Sequence, residues 1–472
     1  MHLTWIGWLC LMLGPALIAF SPGSLYPLMV FLIPFSATAV ANVGTPEGGS
    51  GVQPYLFVGA LWAVTELMTM LRGRSIPLPK GRGHSISLLL GFALAALASL
   101  AMPVIINGSL SILSPELLSD EATPLRFTWR HITQALYLLL GILLTILVAT
   151  KNTDPRGRLQ TLRASAAAVA FVSVWGWFQW VCHQLGFVYP AEIFNNSITK
   201  SALGYDRVLE ELGLLRVSSV AVEPSIFGQY LLTIVPLLLL SVTQRRTIWS
   251  PWFDKMALFL AFSALLISTS ASAYVGLGIV LGLATYTSFR LGTLKARHVA
   301  TIAGCALAVM LAYGFSTSVR TWASEMLFAK AATYSGAERV SSVIRAWDYF
   351  ARYPVLGVGW GSVTSHDLVV KLLANTGVCG FASFALFAGY LVARLRQTND
   401  GATRSGAEQF WRPGVLISLV TQLVLSALTG FSYVFGHVWL VFGLAIAVSS
   451  TQSRPGGRRE LIPSTTELPA VR

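Results

Sequence analysis

The chain has 472 residues, of which 54% are hydrophobic and only 11% charged, and its mean hydropathy is +0.65. A soluble domain carries about a quarter charged residues, so this composition excludes an ordinary water-soluble fold. The net charge of +13 does not signal nucleic acid, because the excess lies in short loops that alternate along the chain, as positive-inside topology requires, and no basic and aromatic binding module is present.

Apolar runs of about 18 residues or more recur along the whole length, each able to cross roughly 30 Å of hydrocarbon. The expected fold class is all-α, a polytopic integral membrane bundle of about 12–13 transmembrane helices. A barrel is excluded by the lack of short alternating strands. Residues 4–20 and 25–41 are two short apolar segments separated by Ser21–Ser24, and the N-terminus lacks the charged start and small-residue cleavage site of a signal peptide, so a retained span is expected. A third span, 53–71, runs into Arg72, Arg74, Lys80 and Arg82 without an acid, a cytoplasmic marker. The fourth, 86–106, is followed by a polar loop carrying Glu116, Asp120 and Glu121. The fifth, 131–150, ends in the basic loop Lys151–Arg163, and the sixth covers 164–186.

After an outer loop the seventh span, 225–242, is closed by Arg245, Arg246 and Lys255 on the inside. Spans at 256–270 and 272–290 meet in a tight turn at Ser268–Ser272, and a tenth is expected at 299–315. A large outer loop precedes the eleventh span, 367–393, and spans at 413–430 and 433–450 close the bundle. Residues 1–450 thus read as a single transmembrane domain with outer loops at 187–225 and 316–366. The tail 451–472 reads as a disordered cytoplasmic segment. Cys10, Cys182, Cys305 and Cys379 fall in apolar segments without metal-ligand spacing, so packing is their expected role.

Polar groups on the outer face carry the chemistry. Glu223 precedes Pro224, which is favoured in a helix's first turn. The carboxylate therefore sits at the positive end of a span, either capping it or free for chemistry. Arg216 lies just upstream. In the stretch Ser335–Gly380, Val340, Ile344, Trp347 and Ala351 share one face, so 337–352 reads as an amphipathic helix on the membrane surface. It carries Arg339, Arg345 and Arg352, which either bind an anionic substrate or meet lipid phosphate and water. A turn with Pro354, Gly357, Gly359 and Gly361 follows, and then His366 and Asp367 where the next span begins. A histidine at a partly buried helix start is expected to be mostly neutral near pH 7, a state suited to accepting a proton from a hydroxyl. Glu66 inside the third span is a minor candidate. Arg130, His131 and His183 read as interfacial, and His437 has no evident partner.

These segments resemble the bacterial O-antigen ligase and O-antigen or exopolysaccharide polymerase superfamily. The downstream pattern is Arg339, Pro354–Leu356–Gly357–Val358–Gly359, His366, Gly377 and Gly380; the upstream one is Arg216, Glu223–Pro224–Ser225 and Phe227–Gly228. Two positions depart from it: the Ser268–Ser272 turn lacks the arginine often found there, and Asp367 stands where asparagine is common. The resemblance implies a C-type, inverting, metal-independent glycosyltransferase in the bacterial inner membrane with a periplasmic active site and no cofactor. The donor would be an undecaprenyl-pyrophosphate-linked glycan and the acceptor a sugar hydroxyl, with membrane lipids and other polysaccharide-assembly proteins as further partners.

Arg216 and Arg339 would take the pyrophosphate charge. His366, helped by Asp367 or Glu223, would engage the acceptor hydroxyl. The helix bearing Arg345 would guide the donor, and Gly357 and Gly359 would let backbone approach the substrate. A polysaccharide polymerase is the leading expectation. A ligase onto lipid A-core, or a protein O-oligosaccharyltransferase, is the alternative. A transporter is disfavoured because the charges lie in outer loops, not at the midplane.

Overall fold

The computed structural model describes residues 2–44, 50–73, 83–113, 122–198, 208–209, 214–290, 334–397, 408–430 and 433–449, with residues 292, 316, 317 and 321. The expected span 299–315, Cys305 and the tail 451–472 lie outside the described residues. The rest is a polytopic membrane helical bundle. Among the described residues eight helices are long and apolar enough to cross a membrane, and three apolar helices are shorter.

In chain order the first helices are α1 (Trp5–Phe20), α2 (Leu25–Leu32), α3 (Pro54–Leu71), α4 (Gly83–Ser99), α5 (Met102–Ile106), α6 (Trp129–Lys151) and α7 (Pro155–Leu185). They are followed by α8 (Pro224–Thr243), α9 (Pro251–Ile267), α10 (Ala271–Arg290), α11 (Tyr334–Arg352), α12 (Leu368–Arg396), α13 (Glu408–Thr429) and α14 (Gly436–Ser449). Proline opens five of them at Pro54, Pro103, Pro155, Pro224 and Pro251, where its missing N–H costs nothing. Short antiparallel strands complete the loops: β1 (His2–Leu3), β2 (Ala41–Val43) and β3 (Ser50–Val52) form one sheet, and β4 (Ser111–Leu113) pairs with β5 (Ala122–Pro124). A third pair joins β6 (Val208–Leu209) to β7 (Leu214–Leu215).

Three boundaries differ from the sequence expectation. The segment 25–41 is helical only in α2; Pro34 cannot continue a helix and disfavours α geometry in the residue before it, and the chain then runs through buried turns and irregular backbone at Phe35–Val40. Its backbone is satisfied across the fold, with Ala37 N–H donating to Val220 O (3.1 Å), Ser197 N–H to Ala37 O (3.1 Å) and Ala39 N–H to Asn196 Oδ1 (2.8 Å). Irregular backbone at membrane depth is tolerated only when protein supplies such partners. Second, 86–106 lies in one apolar stretch, Gly83–Ile106, that starts three residues earlier and is interrupted at Leu100–Ala101 between α4 and α5. Third, the basic stretch after Lys151 is already helix: Asn152–Asp154 alone turn the chain and α7 starts at Pro155.

At the centre stands α8, buried on nearly every side. It is joined to α13 by a polar seam: Gln229 Nε2 donates to Thr429 Oγ1 (2.8 Å), Gln422 Nε2 to Gln229 O (2.7 Å) and Thr233 Oγ1 (2.8 Å), and Ser418 Oγ to Thr233 O (2.7 Å). Lipid tails are as apolar as leucine, so such bonds between helices, each about 0.6 kcal/mol, define which faces meet.

Candidate functional site

The stretch Pro354–Gly361 is a plug inserted into a broken helix. Within α12, Gly377 has φ 61° and ψ −165°, and the helix is interrupted there. The interruption orphans two carbonyls and two amides, and the turn satisfies all four. Val358 N–H donates to Ala374 O (2.8 Å) and Gly359 N–H to Asn375 O (3.1 Å); Val378 N–H donates to Pro354 O (2.8 Å) and Cys379 N–H to Val355 O (3.3 Å). The Asn375 side chain adds two bonds to the backbone of Val363, at 3.0 and 2.9 Å.

This revises the expected role of the glycines. Gly357 and Gly359 have positive φ, 65° and 106°. A Cβ on Gly357 would strike Ala374 O, and one on Gly359 would strike the Pro103 ring. Their backbone approaches protein, not an open cleft.

The plug places α11 on one side and His366 on the other. The amphipathic pattern is realised with its apolar face outward: Val340, Ile344 and Trp347 are 57%, 64% and 53% exposed, as suits a helix lying against lipid. Ala346 and Tyr349 pack inward against Val358, Val363 and Ala374. His366 is half-buried just before α12. Ser342 Oγ donates to Arg339 O (2.8 Å) and lies 3.1 Å from His366 Nδ1. A hydroxyl has one proton, so with that proton on Arg339 O the Nδ1–H must donate to Oγ. In that tautomer a neutral ring would carry its lone pair on Nε2.

Arg339 belongs to the same helical turn. Its Nε is buried and makes no hydrogen bond among the described residues. Arg345 is half-buried one turn on. Asp367 is the N-cap of α12, accepting the Val370 N–H at 2.8 Å, which gives this carboxylate a structural task. Arg352 pairs with Asp348 at 2.8 Å, both more than half exposed. Such pairs contribute little, so Arg352→Gln is expected to leave melting temperature and activity near wild type, measured side by side.

The second half of the site is built on α8. Glu223 is its N-cap, yet its side chain makes no bond to the helix backbone; Oε2 instead accepts the Ser225 hydroxyl at 3.0 Å. Arg216 is half-buried just after β7, on a segment pinned from three directions. Ser218 and Ser219 N–H groups donate to Gln179 Oε1 (3.2 and 2.8 Å), Ser219 Oγ donates to Val172 O (2.7 Å), and Val222 N–H to Ser36 Oγ (3.2 Å). Val222 meets Ala37, Ile226 and Phe435 in an apolar cluster. Gly430, five residues before Phe435, lies against the backbone of Ser365 and His366. Thus Val222, next to Glu223, and the backbone of residues 365–366 pack against Phe435 and Gly430, which border α14 and α13.

No known family profile matches this chain, and no curated protein matches it.

The structure also gathers residues that sequence reasoning left aside. Arg130 Nε donates to Gly361 O (3.0 Å), and His131 Nε2 lies 3.0 Å from Ser362 Oγ. Lys371 Nζ lies 5.1 Å above the Tyr433 ring, close enough to Arg130 for the two charges to interact. A signal for both existed: a cation in the first turn of an apolar helix opposes the helix field and needs a reason. Ser342 and Gln179 carried none, because their partners lie 24 and 39–40 residues away. Glu66 accepts the Trp62 indole N–H at 2.9 Å and is accounted for within α3.

Proposed function

We propose that this protein is a membrane glycosyltransferase that moves a glycan from a lipid-linked pyrophosphate to a sugar hydroxyl, in the manner of a polysaccharide polymerase. The observation that carries the reading is that Ser342, one turn after Arg339 and bonded to its backbone carbonyl, lies 3.1 Å from His366 Nδ1, which brings the turn that bears a phosphate-suited cation beside an imidazole suited to a hydroxyl.

On this reading His366 Nε2 takes the acceptor's hydroxyl proton as its oxygen bonds to the anomeric carbon. The bond from that carbon to the pyrophosphate oxygen breaks on the opposite face, so the anomeric configuration inverts. The departing electron pair stays on the pyrophosphate, where Arg339 and Arg216 receive the charge through bidentate, charge-assisted bonds. Glu223 orients the acceptor. The outward apolar face of α11 holds the site at the level where a lipid-linked donor presents its headgroup.

The test uses purified protein with an undecaprenyl-linked repeat unit and no other acceptor, resolved by glycan length. A ladder supports the polymerase. Product only after lipid A-core is added assigns the ligase reaction instead. No product with either overturns transfer to a sugar hydroxyl. Ser342→Ala should lower the rate roughly tenfold, the value of one lost orienting hydrogen bond, with little change in KM, as expected of a positioning residue.

A further inference from the structure

At the end of α8 opposite Glu223 lies a cavity of about 570 Å³ whose wall includes Ser241, Thr243, Arg245, Arg246, Thr247 and Lys255. We infer that it binds the phosphate of an anionic phospholipid headgroup.

The helix ending is the first reason. Arg245 N–H donates to Val242 O (3.2 Å) and Arg246 N–H to Ser241 O (2.7 Å), the two bonds of a Schellman ending. The residue at its left-handed position is normally glycine, but here it is Arg245 with φ 55°. An L-residue there costs energy that glycine avoids. The chain accepts that cost and places a cation at the cavity wall, and an outlier of this kind points toward function.

The charge balance is the second. Arg245, Arg246 and Lys255 form no ion pair among the described residues. The carboxylate on the wall, Asp254, is buried and already committed: Oδ2 accepts the Ile248 N–H (2.8 Å) and Oδ1 the Trp249 N–H (3.1 Å). The Ser241 and Thr243 hydroxyls on the wall already donate to Leu238 O (2.9 Å) and Leu240 O (3.2 Å), so the donors facing the cavity are the three cations, a set matched to phosphate oxygens.

The third reason is depth, which selects a lipid over a free ion. Trp249 and Trp252 are 52% and 71% exposed beside the cavity, and exposed tryptophans of membrane proteins sit at headgroup level. Trp249 is fixed there: its Nε1 donates to Arg163 O (3.0 Å), and the Arg163 guanidinium lies 5.3 Å from its ring. Basic pockets between helices on the cytoplasmic side, where the charge rule places this loop, suit anionic headgroups.

The experiment is native mass spectrometry of the purified full chain, titrated with phosphatidylglycerol, with phosphatidylcholine, and with phosphatidylglycerol in the presence of inorganic phosphate. Phosphatidylglycerol should be retained in preference to phosphatidylcholine. The preference should fall about a hundredfold in the triple variant Arg245→Gly, Arg246→Gln, Lys255→Gln. Equal retention of the two lipids, or an unchanged preference in the variant, overturns the proposal. Displacement of phosphatidylglycerol by inorganic phosphate at matched concentration also overturns it, in favour of a free anion.

Arg245→Gly alone separates binding from folding, since glycine suits the backbone better. It should melt at or above the wild-type temperature while binding phosphatidylglycerol more weakly. A lower melting temperature with unchanged lipid binding would mean that Arg245 is structural and overturns its assignment.

Discussion

His366→Ala is expected to lower glycan transfer by a factor of roughly a hundred to ten thousand, the range a positioned general base contributes, while the melting temperature stays at the wild-type value. The second half of that expectation is as informative as the first. Gly430 packs against the backbone of residues 365 and 366, not the imidazole, and Ser342 keeps its bond to Arg339 O when the ring is gone. The plug in α12 is held by backbone bonds and by Asn375, none of which involves His366. The loss should therefore appear in the rate. Rates are to be measured with the lipid-linked repeat unit, alongside thermal unfolding in the same detergent. A variant that folds normally and transfers at the wild-type rate removes His366 from the mechanism.

Gly377→Ala should abolish the fold itself. At φ 61° and ψ −165° the backbone occupies a region essentially reserved for glycine. A Cβ there would also collide with Val355 O, a backbone atom that cannot rotate away. Relief would require pulling the plug out, which strands the carbonyls of Ala374 and Asn375 and the amides of Val378 and Cys379. Strain and stranded polar groups together should cost more than about 3 kcal/mol, read as loss of monodisperse protein after extraction. Two neighbours serve as controls. At Gly380 an added Cβ would stand 2.3 Å from the Thr376 Cβ, an atom no rotamer change moves, so alanine should destabilise there too, but without the backbone strain of Gly377. At Gly389 nothing lies within 4 Å, so alanine should be neutral or stabilising by up to about 1 kcal/mol. Equal tolerance at all three positions would mean that the interruption of α12 is not needed.

The helical architecture was legible because hydrocarbon imposes a length and an apolarity on every crossing, and proline marks where several helices begin. The Glu223–Pro224 start and the outward face of α11 were readable for the same local reasons. What could not be read were arrangements made by backbone partners far apart in sequence. Nothing local says that the irregular chain after Pro34 would bond to Val220, or that a basic run after Lys151 would be helical because Pro155 starts a helix at once. The Pro354–Gly361 turn was visible as an unusual stretch, but glycine permits close approach to anything. Only the fold reveals that its neighbour is the interior of α12. The link from His366 to Arg339 depends on Ser342, a residue that any amphipathic helix could carry on its polar side.

The plug also constrains how the chain is made. Leu368–Arg396 is apolar enough to be handed to the bilayer as one segment, but its halves cannot complete their hydrogen bonding alone. The partners come from Pro354–Gly359, which is synthesised first and must already lie beside the insertion route when α12 arrives. Biogenesis is then ordered: the loop waits, the helix threads in, and docking seals the interruption. A nascent chain halted between those events would expose bare carbonyls to lipid, and quality-control proteases would meet it in that form.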